Sequence, residues 1–519
     1  MLVGDILKWN ARTCRMKIGL IDGEERFTYG EINRRVNQLS NALLNLGLKK
    51  GDKMAVMADN CHQFVEAYFA TAKAGLVIVP LNTRLSSEEA SYIVNHSDAS
   101  AFLYHDDLEC TAGRIRKSTP NVRFIVSTGE GDKHVNSYET LLSDASDEEP
   151  EQDVNIDDLM MIMYTSGSTG DPKGVVASQR NIMANTNTMT IELRIVPEDI
   201  NLLVMPMYHN GGLWPIITHF YRGALVILLP RFDVENVLQA VEREKVTFLN
   251  LVPTMLQRIV SHPNLAGYDL SSLRLVMYGG APISVGQLKE SMRVLGAHRF
   301  YTALGCTEAN GLLLSFPCKE HVLDGPLAEK LGSVGRDGIG VEVRIVDELA
   351  NEVPPGKTGE ITARGENIAL GYFKMPQETA ETFKNGWLYS GDIGYRDDDG
   401  FVFVVDRKKD IIISGGENVS GREVEEIICQ HPAVEEVAVI GVPDEEWGEA
   451  VKAVVSLKSQ YKDKVEEEEI IDFCRDRLAG YKKPRSVEFL GELPKTSLGK
   501  IAKAELKRSY HKKYPCEPR

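Results

Sequence analysis

The 519-residue sequence predicts an α/β fold: a large N-terminal domain of α/β subdomains with a smaller β-rich subdomain, then a small C-terminal α+β domain. Three observations carry this expectation. Amphipathic helices alternate with short, wholly apolar strands through the first half, the pattern of largely parallel sheets covered on both faces. From about Gly332 the apolar period shortens to two around Pro354-Pro355-Gly356, which suggests antiparallel pairing. The chain also exceeds the ~250–300 residues that one core sustains.

The elements follow in order. Ile32, Val36, Leu39, Leu43 and Leu46 recur at intervals of 4, 3, 4 and 3, one face of a helix. Thr28 and Glu31 form a capping box at its start, and Gly47 stops it. Residues 54–57 read as a buried strand, and the helix 64–74 with the strand 76–79 repeats the unit. So do the helix 234–241 and the strand 247–251, followed by a strand at 273–277. The stretch 200–221 has no Asp, Glu, Lys or Arg but holds Asn201, Pro206, His209, Asn210, Gly211, Gly212 and Pro215. A bilayer would leave those groups poorly solvated, so the stretch reads as buried or pocket-lining. The acidic stretch 143–157 reads as a surface connection. Alternating strands are expected at Val341–Val346 and 359–364. In the last part, Ser420 and Glu423 form a second capping box before Val424, Ile427 and Ile428. Strands at 437–442 and 451–457 and a helix over 466–478 complete a small domain.

Charge and cysteines narrow the function. Asp and Glu number 75 against 59 Lys and Arg, a net charge of −16, which argues against broad nucleic-acid binding but permits a local cationic site. None of the eight cysteines forms a CxxC pair, so reduced thiols in a cytoplasmic chain are expected. No N-terminal apolar block marks a secretory signal, and the final Glu-Pro-Arg is no peroxisomal address.

The densest chemistry lies in Tyr164-Thr165-Ser166-Gly167-Ser168-Thr169-Gly170-Asp171-Pro172-Lys173-Gly174, after an apolar strand at 159–163. The glycines let backbone approach an anion. The hydroxyls of Thr165, Ser166, Ser168 and Thr169 donate hydrogen bonds, and Lys173 adds a cation. Pro172 before the lysine and Gly174 after it exclude a Walker loop. A flexible Ser/Gly turn has the same composition.

Thr-Ser-Gly-Ser-Thr-Gly-x-Pro-Lys-Gly resembles the phosphate loop of the acyl-adenylate-forming superfamily, which includes acyl-CoA synthetases, peptide-synthetase adenylation domains and luciferases. Further motifs of that family stand in order, so the resemblance covers residues ~25–505 and is closest to the acyl-CoA synthetase branch. By this resemblance, Gly280, Ala281 and Pro282 border adenine and acyl groups. Thr307 meets the α-phosphate, and Glu308 holds Mg²⁺, with Thr165 beside it. One carboxylate suffices for that ion beside phosphate oxygens and water. Leu304 stands where many relatives stack a tyrosine on adenine, a contact left to Leu304 or to a shifted Tyr301. Gly305 stands where acetate-selective relatives place tryptophan, which implies a pocket open to longer or bulkier acids; the alternative is a glycine needed for the turn. Pro206-Met207-Tyr208-His209-Asn210-Gly211-Gly212 resembles the family's acyl-pocket segment, with His209 near the reacting carboxylate and Met207 in contact with the acyl group.

Tyr389-Ser390-Gly391-Asp392 resembles the family's Thr-Gly-Asp signature, with serine for threonine, which implies a ribose ligand in Asp392 and, by the same resemblance, a second in Arg407. Lys409 matches the family's hinge, which the resemblance places at 406–410 between residues 1–405 and a mobile domain of residues 411–519. The same resemblance implies that Gly415 and Gly416 leave room for the pantetheine arm of coenzyme A. Lys500, in Pro494-Lys495-Thr496-Ser497-Leu498-Gly499-Lys500, matches the catalytic lysine, while Lys495 reads as solvated. The basic tail Lys507-Arg508 with Lys512-Lys513 reads as a solvated end.

The resemblance implies an ATP-, Mg²⁺- and coenzyme A-dependent acyl-CoA synthetase, with pyrophosphate and AMP as products. Its acid is a hydrophobic monocarboxylate, fatty or aromatic, with fatty acyl ranked slightly above. Other readings are a free-standing adenylation enzyme serving a carrier protein, a luciferase-like oxygenase, and a nonenzymatic nucleotide-binding regulator. No nucleic-acid partner or transmembrane segment is expected, and a homodimer is allowed.

Overall fold

The computed structural model describes residues 1–130, 134–165, 172–444, 446–462, 464–495 and 501–513. Among these the chain forms four sheets. The first holds six mutually parallel strands in the spatial order Phe300–Cys306, Leu275–Gly279, Phe248–Leu251, Ile200–Leu203, Leu225–Leu228 and Ile18–Asp22. The second runs in parallel through Val77–Pro80, Lys53–Met57, Ala99–Tyr104 and Phe124–Ser127. Leu159–Thr165 joins it beside Val77–Pro80.

The helices Val3–Thr13, Tyr29–Asn45, His62–Ala74 and Asn210–Tyr221 fill the space between these sheets. Ile32, Val36, Leu39 and Leu43 share one core with Met54 and Ile78 of one sheet and Leu20, Leu203 and Val226 of the other. The helix Tyr29–Asn45 starts as its sequence predicts. The Glu31 N–H donates to Thr28 Oγ1 at 3.2 Å, and the Thr28 N–H donates to the Glu31 carboxylate at 2.8 Å. Gly47, at φ +93°, follows its end.

Val341–Val346, Gly359–Gly365, Trp387–Arg396 and Val402–Arg407 make the expected antiparallel sheet. The fourth sheet takes up the chain at Ile412–Ser414 and includes Glu417–Val419, Val434–Asp444, Gly448–Leu457 and Ser486–Phe489. Val424, Ile428, Val439, Val455 and Ile470 give this part its own core. Near the crossing point, Ser420 Oγ lies 2.9 Å from Val405 O and 3.0 Å from Asp406 Oδ2, and the Arg422 N–H donates to the same carboxylate oxygen at 3.2 Å. Asp406 thus assists Ser420 at the start of the helix Gly421–Ile428.

Two expectations change, at Glu423 and in the basic tail, and two charged segments gain partners. Ser420 caps as expected, but the Glu423 carboxylate turns away to Lys482 Nζ, 2.7 Å distant. The acidic stretch is mostly exposed, as a surface connection should be, and one carboxylate pins it: Lys73 Nζ donates to Glu149 Oε2 at 2.8 Å and to Asn33 and Asn37. Lys495 is exposed, as expected, and pairs with Glu436 at 2.9 Å. Lys507 lies on the helix Lys503–Lys513 and reaches Lys409 O and Asp410 Oδ1 at 3.3 and 3.5 Å. Among the described residues no helix is long and apolar enough to cross a membrane.

His62 sits at the edge of a charged cluster, with Nδ1 2.9 Å from Asp22 Oδ2. Burial disfavours its charged form. The hydrogen bond to Asp22 and the charges of Glu66 and Asp22 outweigh that, and the His62 pKa is raised. A raised folded-state value adds stability below the unfolded value of about 6.5, and that stability is lost as pH rises through the folded value. The wild-type advantage over His62→Gln in urea unfolding is therefore expected to be larger at pH 6 than at pH 8.5. A difference that ignores pH would refute this account.

Candidate active site

The first group of site residues follows the carboxyl ends of neighbouring parallel strands, where open parallel sheets form their crevices. Gly280 follows Leu275–Gly279 at φ +76°, with Ala281 half-buried and Pro282 exposed. Thr307 and Glu308 follow Phe300–Cys306 in a single 3₁₀ turn closed by Asn310, at φ +51°. His209 precedes the helix Asn210–Tyr221, and its carbonyl accepts from the Gly212 N–H at 2.9 Å. Gly212 has a backbone reason to be glycine: a Cβ there would lie 2.2 Å from Pro206 O. Asn250 holds the same bend by donating to Gly211 O at 2.9 Å. Met207 is placed differently from its expected acyl contact. It is fully buried in the core between the sheets, with its carbonyl taken by the Tyr68 hydroxyl at 2.8 Å.

The hydroxyl-rich segment joins two antiparallel strands, Leu159–Thr165 and Lys173–Ser178, with Thr165 opposite Lys173. Ser166, Gly167, Ser168, Thr169 and Gly170 lie outside the described residues, and so does Lys500. The Lys173 ammonium stands 5.0 Å from the ring centroid of Tyr372. The Tyr372 hydroxyl donates to Glu308 Oε1 at 2.8 Å. Burial, and then the Glu308 charge, hold that phenol well above its usual pKa. Glu308 fits a magnesium ligand, because a carboxylate with one oxygen engaged by a phenol keeps acceptor sites for a hard cation.

Asp392 and Arg407 face each other across adjacent antiparallel strands. Arg407 Nε lies 2.6 Å from Asp392 Oδ1, with Asp392 buried and Arg407 exposed. Ser390 Oγ, which donates to Ile361 O at 2.7 Å, accepts from the Asp392 N–H at 3.1 Å. The charged run after Arg407 is anchored, for Lys408 pairs with Glu360 at 2.9 Å. Cys306 lies among these groups. Burial raises its thiol pKa, and the charges of Glu308 and Asp392 raise it further. The structure thus brings Glu308, Asp392, Arg407, Tyr372 and Lys173 around one space. Tyr372 and Cys306 had no signal in the sequence beyond a Gly-Tyr pair and a lone thiol.

Leu304 is half-buried against the core of the antiparallel sheet. Tyr301 is not available to adenine: it is 1% exposed, in a cluster with Trp214, Phe248 and Met277. At Gly305 a Cβ would stand 2.0 Å from Gly311 O, so the partner strand itself demands glycine. Lys409 is exposed between Arg407 and the helix that carries Lys507. Gly415 and Gly416, at φ +60° and +83°, turn the hairpin between Ile412–Ser414 and Glu417–Val419. A Cβ on Gly415 would lie 2.5 Å from the Trp447 ring, whereas Gly416 faces open space.

The AMP-binding enzyme family model matches residues 7–373, and the AMP-binding enzyme C-terminal domain model matches residues 423–500. The chain is 38% identical to a feruloyl-CoA synthase of Amycolatopsis sp. over 512 residues, covering 97% of this chain and 98% of that one. It is 33% identical to a long-chain-fatty-acid–CoA ligase of Mycobacterium tuberculosis, covering 94% of each. Its structure superposes on ATP-bound MatB from Rhodopseudomonas palustris with a TM-score of 0.89 at 30% identity, over 99% and 100% of the two chains.

The hairpin glycines give a paired test. Gly415→Ala and Gly416→Ala both place a side chain at positive φ, which costs about 1–2 kcal/mol. Gly415→Ala alone is expected to displace Trp447 and change its fluorescence. Equal spectral changes in both variants would count against the packing described.

Proposed function

The chain belongs to the AMP-binding enzyme family, and from that premise we infer that it is an ATP-dependent acyl-CoA synthetase. The observation that supports the reading is that Glu308 and Lys173 both meet Tyr372, while Asp392 and Arg407 pair on the antiparallel sheet and act with Glu308 on Cys306. A carboxylate oxygen of the acid attacks the α-phosphorus of ATP, the bond to pyrophosphate breaks, and acyl-AMP forms. The thiolate of coenzyme A then attacks the acyl carbon, the acyl–oxygen bond breaks, and AMP leaves. No side-chain nucleophile is needed. The protein positions the reactants and stabilises charge.

Each residue has a role in this reading. Asp392 accepts from the ribose hydroxyls, with Arg407 beside it. Gly280, Ala281 and Pro282 border the adenine and acyl groups, and Leu304 gives adenine an apolar contact. Thr307 and the hairpin from Thr165 to Lys173 hold the phosphates. Glu308, with Thr165 and phosphate oxygens, would hold magnesium, which when bound offsets the charge of the triphosphate. His209 stands over the reacting carboxylate. Lys500 supplies a cation to the α-phosphate; loss of such a group costs about 10²–10³ in rate. Residues 406–410 act as a hinge, so that Lys500 and the Gly415–Gly416 turn reach the site in alternation. The enzyme is assigned to the cytoplasm.

The acid is best read as aromatic. Met277 lies two residues below Gly279 on one strand and Leu275 two below that, which places them about 7 and 13 Å deep on the same face. Met277 pairs with Tyr301, and Leu275 with Phe248, and all four are buried in a cluster with Trp214. A ring fits above such a floor, whereas a long alkyl chain has to pass through it. The feruloyl-CoA synthase among the relatives supports the same choice.

Pyrophosphate release with a panel of acids, with and without coenzyme A, tests the function. Hydroxycinnamic or benzoic acids are expected to exceed palmitate in kcat/KM, and no turnover with any acid would end the proposal. Lys500→Ala is expected to impair adenylate formation far more than thioester formation from supplied acyl-AMP. Lys409→Pro should do the reverse, slowing the second half and sparing the first. Equal losses in both halves would refute these assignments.

A further inference from the structure

Gly371–Tyr372 forms a short strand at the edge of the sheet that carries the phosphate hairpin, antiparallel to Val175 and Val176. Tyr372 is only 9% exposed. Its two ends meet groups from different sheets: the hydroxyl donates to Glu308 Oε1 at 2.8 Å, and the ring lies under the Lys173 ammonium at 5.0 Å. The neighbouring backbone ties the same two walls. The Ala369 N–H donates to Glu308 O at 2.8 Å, and the Phe373 N–H donates to Gly174 O at 2.7 Å. The Tyr372 N–H is itself fixed on Thr379 Oγ1 at 2.9 Å.

We propose that Tyr372 is a positioning residue for adenylation, orienting the Glu308 carboxylate toward magnesium and holding the Lys173 ammonium toward the phosphates. The inference rests on the reading of the chain as an ATP-dependent ligase. A phenol donating to a carboxylate makes a short, directional bond, and it fixes where the other oxygen points. Partners of metal ligands act in this way, and their loss typically weakens metal binding by about 10–100-fold. The ring matters for a different reason. Lys408 and Lys495 are held by carboxylates, which offset their charge. Among the described residues no carboxylate pairs with Lys173, which rests on an uncharged aromatic face that attracts a cation without neutralising it. Its full charge stays available to an incoming triphosphate.

The two contacts separate by substitution. Tyr372→Phe keeps the ring and removes the hydroxyl; Tyr372→Leu removes both. Calorimetric titration of the full chain with ATP, once with Mg²⁺ and once with EDTA, reads each contact apart from turnover. Tyr372→Phe is expected to weaken Mg·ATP binding by about 10–100-fold, to leave ATP binding in EDTA unchanged, and to raise the half-saturating Mg²⁺ in pyrophosphate release. Tyr372→Leu should weaken binding in EDTA as well. In a Glu308→Gln background, Tyr372→Phe should cause no further loss of Mg·ATP affinity. Wild-type Mg·ATP affinity in Tyr372→Phe, or a full additional loss in the Glu308→Gln background, would overturn the proposal. Wild-type protein that binds no Mg·ATP would instead overturn the ligase reading beneath it.

Discussion

Glu308 and Lys173 belong to separate sheets, and hydrogen bonds to residues 366–373 hold those walls in register. Asn181 Nδ2 donates to Glu366 O and Ile368 O at 2.8 Å, which ties this segment to the helix Gln179–Glu192. Asn367 Nδ2 donates to Ala309 O and Leu312 O, and Asn310 Nδ2 donates to Asn367 O, which ties it to the turn that bears Glu308. Inside a protein such carbonyls are costly to leave unpaired, about 1–3 kcal/mol each. The segment therefore has little freedom to drift, and Tyr372 inherits its position.

Much of the architecture was legible because periodicity reports burial. The helix Tyr29–Asn45, the strand Lys53–Met57 and the parallel pairing of Phe248–Leu251 with Leu275–Gly279 all follow from where apolar side chains recur. The acyl-CoA synthetase resemblance was legible because its motifs are contiguous. What stayed hidden was pairing between distant charges. Nothing local says that Glu423 prefers Lys482 to its own helix end, that Glu149 closes on Lys73, or that Lys495 finds Glu436. These partners are brought together by the fold, and a charge run alone reads as solvated surface.

The glycines carry a related lesson. Gly305 invited an argument about acid size, yet the Gly311 carbonyl already forbids a side chain in this backbone arrangement. Gly212 in the histidine-bearing segment answers to the carbonyl of Pro206. In the proposed reading, acid size rests instead on Met277, Tyr301, Phe248 and Trp214, which are buried together in one apolar cluster.

Asp406 belongs by sequence to the last strand of the antiparallel sheet, yet its carboxylate receives the Arg422 N–H at the first turn of a helix in the next domain. If residues 406–410 swivel as proposed, any turn that parts the two exposes that first turn to water. A lost cap of this kind is worth about 1 kcal/mol, roughly a fivefold change in population. The resting orientation would then be favoured by a latch remote from the reacting atoms. Swapping this carboxylate for a neutral group would retune the dwell times of the two poses, and it would also free the Arg407 N–H that the other carboxylate oxygen holds at 2.8 Å.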